Sequence, residues 1–188
     1  MNKFKPNFNE HIVDCIKSKR SKKSNNMKLV NVTIEWHEGI DLDKFKSNNQ
    51  EMTQSEQEIA ATEQVVYIFY GENSNGDGAT DVGSTSRRLV VRTKEHLQNG
   101  DYLEGFKSDP KVYGGEVNSA IGVNRDLLEQ VEGILIQFLK KHLKSPYICN
   151  QSKLNTCREV YKIEEIRNNN IPAELRDILP AYMYLEND

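Results

Sequence analysis

The spacing of apolar positions changes several times along this chain, and each change marks an element. Val30, Val32, Ile34 and Trp36 alternate with Asn31, Thr33 and Glu35, the period of a strand with one buried face. The run Val65-Val66-Tyr67-Ile68-Phe69 is continuously apolar and meets a turn-rich segment, GENSNGDGAT. Asp81-Val82-Gly83 then reads as a second short strand, so the two form a β-hairpin. A helix is expected over 86–98, with Ser84, Thr85 and Ser86 as N-cap candidates and Asn99-Gly100 as its stop. Leu128, Val131, Leu135, Phe138 and Leu139 give a broad stripe to a helix over 125–143, capped by Asn124.

Weaker patterns fill in the rest. Ile12, Val13, Cys15 and Ile16 suggest a short amphipathic helix over 9–20. Residues 41–53 read as a loop, 55–63 as a short helix, and 111–117 as a strand weakened by two glycines. A strand is expected over 161–166 and a helix over 173–179 after Pro172, and 181–188 carries no signal. The sum is an α+β fold with a small central antiparallel β-sheet flanked by helices. Residues 61–151 form its core, 1–60 a basic N-terminal extension and 152–188 a C-terminal one.

Polar side chains cluster on these elements. Arg88, Arg92 and His96 recur every four residues on one helix face, while Leu89, Val90, Thr93 and Leu97 lie nearer the other. Tyr67 and Phe69 share one side of their strand. Glu132 sits beside the apolar stripe of its helix, next to Leu128, Leu135 and Ile136. A carboxylate there is costly unless it is paired, binds a cation, or reaches water at the stripe's edge.

Charge changes the picture more than composition does. The net charge of −3 does not advertise a nucleic-acid binder. Yet residues 1–28 carry Lys3, Lys5, Lys17, Lys19, Arg20, Lys22, Lys23 and Lys28 against Glu10 and Asp14. A basic arm on an acidic body could track phosphates, or it could be a solvated terminus. Cys15, Cys149 and Cys157 form no metal pattern and suit a reducing compartment. No apolar run reaches membrane-span length, and the opening MNKFKPNFNEH lacks a signal-peptide core, so a cytoplasmic protein with no membrane partner is expected.

Taken in order, these residues resemble the GIY-YIG nuclease superfamily. Val65-Val66-Tyr67 matches the first motif half, and Asp81-Val82-Gly83 the second, with Asp81 in place of its tyrosine. Gly83-Ser84-Thr85 looks like the motif's continuation, and Arg92 with His96 has the spacing of the catalytic arginine and histidine. Glu132-Gly133-Ile134-Leu135-Ile136 fits the pattern of the metal-binding glutamate, and Asn150 after Pro146 fits the late asparagine. The loss of the second tyrosine, and the spacings of Arg92 from Gly83 and of Asn150 from Glu132, look like the superfamily's restriction-endonuclease branch.

The resemblance implies a metal-dependent, site-specific endonuclease of restriction or mobile-element type acting on double-stranded DNA. Its products would carry 5′-phosphate and 3′-hydroxyl ends. Tyr67 would be the base if nearby cations or metal-bound water lower its proton affinity, and Arg92 would stabilise the reacting phosphate. Glu132 would hold one Mg²⁺ or Mn²⁺. His96 would orient a phosphate or a water. Asp81, expected to face Tyr67 across the hairpin, would bind a cation, pair with Arg88 or Lys94, or assist the base. Gly83 and Asn150 would be structural. Arg87, Arg88 and Lys94, with Lys19, Arg20, Lys22 and Lys23 of the arm, are the expected DNA contacts. No separate recognition domain is evident, so the extensions would read bases, for instance in a homodimer with two active sites. Two other functions compete: a catalytically inactive binding module for nucleic acid or protein, and a structure-specific repair nuclease.

Overall fold

The computed structural model describes residues 12–13, 29–46, 51–75, 78–99, 106–108, 110–142 and 160–185. In chain order the strands are β1 (Ile12–Val13), β2 (Leu29–Trp36), β3 (Ile40–Asp41), β4 (Val65–Glu72), β5 (Gly78–Thr85), β6 (Lys111–Ser119), β7 (Lys162–Asn169) and β8 (Tyr182–Leu185). The α-helices are α1 (Leu42–Lys46), α2 (Gln54–Ala61), α3 (Leu89–Asn99) and α4 (Arg125–His142). The class is the expected α+β, a central sheet with helices on both faces. No helix among the described residues is long and apolar enough to cross a membrane.

The hairpin β4–β5 and the strand β6 form the expected antiparallel core, with β4 between its two partners. The sheet is larger than expected, and mixed. Its order is β1-β8-β7-β2-β6-β4-β5, with β3 also paired to β6. β2 runs antiparallel to β6 but parallel to β7, and β1 runs parallel to β8. Both expected extensions therefore add strands to the core sheet. The reason is backbone satisfaction: β2 has two edges of N–H and C=O groups, and β6 covers only one.

Each face has its own apolar layer. One joins Val32, Ile34, Val66, Ile68, Val82 and Ile166 to the stripe of α4, Leu128, Val131, Leu135, Phe138 and Leu139 among it. The other joins Val65, Tyr67, Phe69 and Val112 to Leu42 and Phe45 of α1, Ala60 of α2 and Leu89 of α3. Two glycines in β6 are explained by crowding. A Cβ on Gly115 would sit 2.6 Å from Ile34 Cγ2, and one on Gly114 would sit 2.9 Å from Leu89 Cδ2.

Several local expectations need correction. Of the helix expected over 9–20, only Ile12 and Val13 are described, and they pair with Tyr184 and Leu185 as a strand. The loop expected over 41–53 holds α1, whose Leu42 and Phe45 are buried; one turn is too short to show a period. The α2 helix starts from a capping box, in which the Thr53 hydroxyl accepts from Glu56 N and the Glu56 carboxylate accepts from Thr53 N. The α3 helix begins at Leu89, because Ser84 and Thr85 continue β5 and Thr85 Oγ1 accepts from Arg87 N within the turn. The helix expected after Pro172 is a short 3-10 turn, Ala173–Leu175. The silent C-terminal stretch forms β8, with Met183 buried.

Buried polar groups lock the added strands to the core. Trp36 Nε1 donates to Asn168 Oδ1 at 2.9 Å, and Asn168 Nδ2 donates to the Pro180 carbonyl at 2.8 Å. Gln130 of α4 accepts from the amides of Val160 and Tyr161 through Oε1 and donates to the Tyr161 carbonyl through Nε2. Removing that side chain leaves backbone groups without partners, at about 1–3 kcal/mol for a buried orphan. Gln130→Ala is expected to lower unfolding free energy by about 2 kcal/mol in urea titration, on that scale. An unchanged midpoint would mean that water replaces the amide.

Candidate active site at the sheet edge

The site begins with a missing Cβ. Tyr67 of β4 pairs in register with Gly83 of β5. Any side chain on Gly83 would overlap the Tyr67 hydroxyl and ring. Glycine lets the phenol lie across the edge strand and reach α3. There the hydroxyl accepts from Arg92 Nε at 3.1 Å and lies 2.7 Å from His96 Nε2. Arg92 and His96 are one helical turn apart, so both reach one oxygen. The His96 ring also packs edge-on against Tyr67 and Phe69, with centroids 5.7 and 5.6 Å away.

Arg88, the third member of that stripe, precedes the helix and lies 3.8 Å from Glu63. Arg87 is held in a fork by Glu95, at 2.6 and 2.7 Å, and Arg92 Nη1 lies 3.3 Å from the same carboxylate. Lys94 is half-buried on α3. Lys19, Arg20, Lys22, Lys23 and Asn150 lie outside the described residues.

Two carboxylates flank the phenol. Asp81 is buried and pairs with Phe69 in register, so it stands diagonal to Tyr67 on the same face. It was expected directly opposite Tyr67, a place that Gly83 takes. Glu132 is 2 % exposed and comes from α4 on the other face, where Ser84 Oγ donates to its Oε2 at 2.6 Å. β5 is the last strand of the sheet, and there the charges of Glu132 and Asp81 both act on the phenol.

Electrostatics bear on the expected role of Tyr67. Burial pushes the Tyr67 phenol far above its ordinary range. Arg92 opposes this by charge and hydrogen bond, but Glu132 and Asp81 both reinforce it. The cations present do not make Tyr67 a ready base, because desolvation outweighs one arginine. Tyr67 is neutral, and Arg92 can only donate. The 2.7 Å contact lets the phenol O–H donate to His96 Nε2 in the tautomer whose ring proton is on Nδ1.

Ser84 and Glu95 were missed in the sequence. Ser84 looked like a helix cap, although period-two alternation from Gly83 puts it on the α4 face. Glu95 lies three residues after Arg92, a spacing that signals an ion pair on any helix.

The raised Tyr67 pKa has a consequence for stability. An unfolded tyrosine ionises near 10, whereas folded Tyr67 keeps its proton to higher pH. The contribution is therefore full below pH 10 and is lost as pH rises above it. Unfolding free energy is expected to fall above that pH, and less steeply in Tyr67→Phe. Parallel alkaline profiles for the two proteins would show that the phenol ionises as freely folded as unfolded.

Comparison with protein-family models, with curated proteins and with solved structures gives no match for this chain.

Proposed function

We propose that this protein is a metal-dependent endonuclease acting on double-stranded DNA, with its active site at the β5 edge. The observation that carries the reading is the convergence of Arg92 and His96 on the Tyr67 hydroxyl, flanked by the buried carboxylates of Asp81 and Glu132. The strand order β6-β4-β5, with α3 between β5 and β6 and the glutamate on α4, supports it. So does the motif resemblance.

A phosphodiester entering here meets Arg92 as its closest cation and two carboxylates as opponents. The balance favours phosphate only if a divalent cation enters too. Among the described residues no three His, Cys, Asp or Glu side chains form a cage. Mg²⁺ needs none, since it commonly takes one or two carboxylates and fills its other positions with water and phosphate oxygens. The hard oxygen donors of Glu132, and of Asp81 beside the phenol, fit that pattern. When bound, Mg²⁺ or Mn²⁺ would supply positive charge at the departing 3′ oxygen.

The protein's own groups then divide the remaining work. Arg92 keeps Nε on the phenol and turns its outer nitrogens to the phosphate. Tyr67 takes a proton from the attacking water while its own proton passes to His96 Nε2. The pair acts as the base that the buried phenol alone cannot be. The products carry 5′-phosphate and 3′-hydroxyl ends, and the protein works in the cytoplasm, with cleavage of both strands by a dimer. The rival reading is an inactive binding module, which the raised Tyr67 pKa favours.

Plasmid incubated with Mg²⁺ separates the two: discrete fragments support the nuclease, and intact DNA supports the module. Glu132→Gln is expected to abolish cleavage while DNA binding persists, because an amide is a poor ligand for a hard cation. Near-wild-type cleavage would remove Glu132 from the metal site. Tyr67→Phe and His96→Ala are both expected to lose nearly all single-turnover activity. Asp81→Asn should lose less and need more metal. The reverse order would make Asp81 the base. Arg92→Lys is expected to slow cleavage by more than about tenfold, since a point charge cannot hold the phenol and the phosphate together.

A further inference from the structure

Arg87 and Arg92 converge on one carboxylate. Arg87 lies in the turn between β5 and α3, where its amide is tied to Thr85 Oγ1. From there its side chain runs along α3 to Glu95 and grips both oxygens. Arg92 reaches the Oε2 of the same group. The charge of Arg92 opposes that of Arg87 across the shared carboxylate. An anion between two guanidinium groups offsets their mutual repulsion, and Glu95 is that anion. Arg92 also holds the Tyr67 hydroxyl, so this anion position adjoins the proposed reaction centre.

Its geometry suits another ligand. A planar guanidinium fork that accepts a carboxylate also accepts two phosphate oxygens. The Arg87–Glu95 pair is accessible, with side chains 56% and 34% exposed. Pairs so exposed are worth at most about 1 kcal/mol and are readily exchanged. We propose that Glu95 is a built-in phosphate surrogate, occupying a two-arginine site that takes a DNA backbone phosphate once Glu95 swings out. This rests on the nuclease reading for the identity of the ligand, but not for the existence of the anion site. Glu95 then sets how tightly phosphate binds. A free protein whose arginines are already neutralised holds stray polyanions less tightly than its arginine count implies.

The test uses inorganic phosphate and the full chain. Arginine Nε–Hε signals of Arg87 and Arg92 are followed by NMR as phosphate is added to wild type, Glu95→Gln and Arg87→Gln/Glu95→Gln. Glu95→Gln keeps the shape and removes the competing charge. Both arginine signals are expected to move together, with a midpoint about fivefold lower in Glu95→Gln than in wild type, the equivalent of about 1 kcal/mol. The gain should vanish in the double variant. A short duplex in Ca²⁺, as a non-cleaving ion, should repeat the order and bind Glu95→Gln with a salt slope steeper by about one. Equal midpoints in wild type and Glu95→Gln, or no response of either arginine, would overturn the proposal. Weaker binding in Glu95→Gln would also overturn it and make Glu95 a brace for Arg92. A phosphate response without plasmid cleavage by wild type would sink the nuclease reading and leave the anion site standing.

Discussion

A tyrosine crossing a strand at a glycine is the contact on which the proposed chemistry hangs. The sheet separates its two faces, and α3 and α4 pack on opposite ones. Groups on those helices meet only where the sheet ends. Tyr67 starts one strand in from the edge, and the absent Cβ of Gly83 lets its hydroxyl pass over β5. At that point Arg92 and His96 reach it from one face. Glu132, held by Ser84, approaches from the other. Filling the space above Gly83 would push the phenol back and leave the two arms of the site unconnected.

The same burial that places the phenol also works against its ionisation. A tyrosine 2 % exposed beside two carboxylates gains little from a single arginine. The proposed chemistry calls for one of two remedies. One is a second proton acceptor in contact with the hydroxyl, His96. The other is a cation brought with the substrate. Both follow from placing a titratable group in a low-dielectric edge, and either could be absent from a relative with a more open site.

Positive charge in this region is bound in pairs. Arg87 and Arg92 share Glu95, Arg88 faces Glu63, and Lys111 faces Glu174. On the proposed function, DNA binding would require the release of some of these pairs. The exposed ones are the cheapest to release.

Much of the framework was legible in the linear chain. Alternation marked β2, the turn residues marked the β4–β5 hairpin, and a five-residue apolar stripe marked α4. These signals are local, because one buried face imposes a period on consecutive residues. The four-residue step from Arg92 to His96 was legible for the same reason, and Tyr67 and Glu132 stood out through motif resemblance. The pairing of β2 with β7, more than a hundred residues apart, was not legible, since a strand's period tells which face is buried but not which partner lies beside it. α1 and β1 were too short to carry a period. The place of Asp81 opposite Phe69 depended on hairpin register, which no single strand encodes. Only the folded chain decided that Glu95 would join Arg87 to Arg92, and that burial would outweigh the arginine at Tyr67. Desolvation and charge sum over neighbours brought from three other elements, and their order along the chain does not contain those distances.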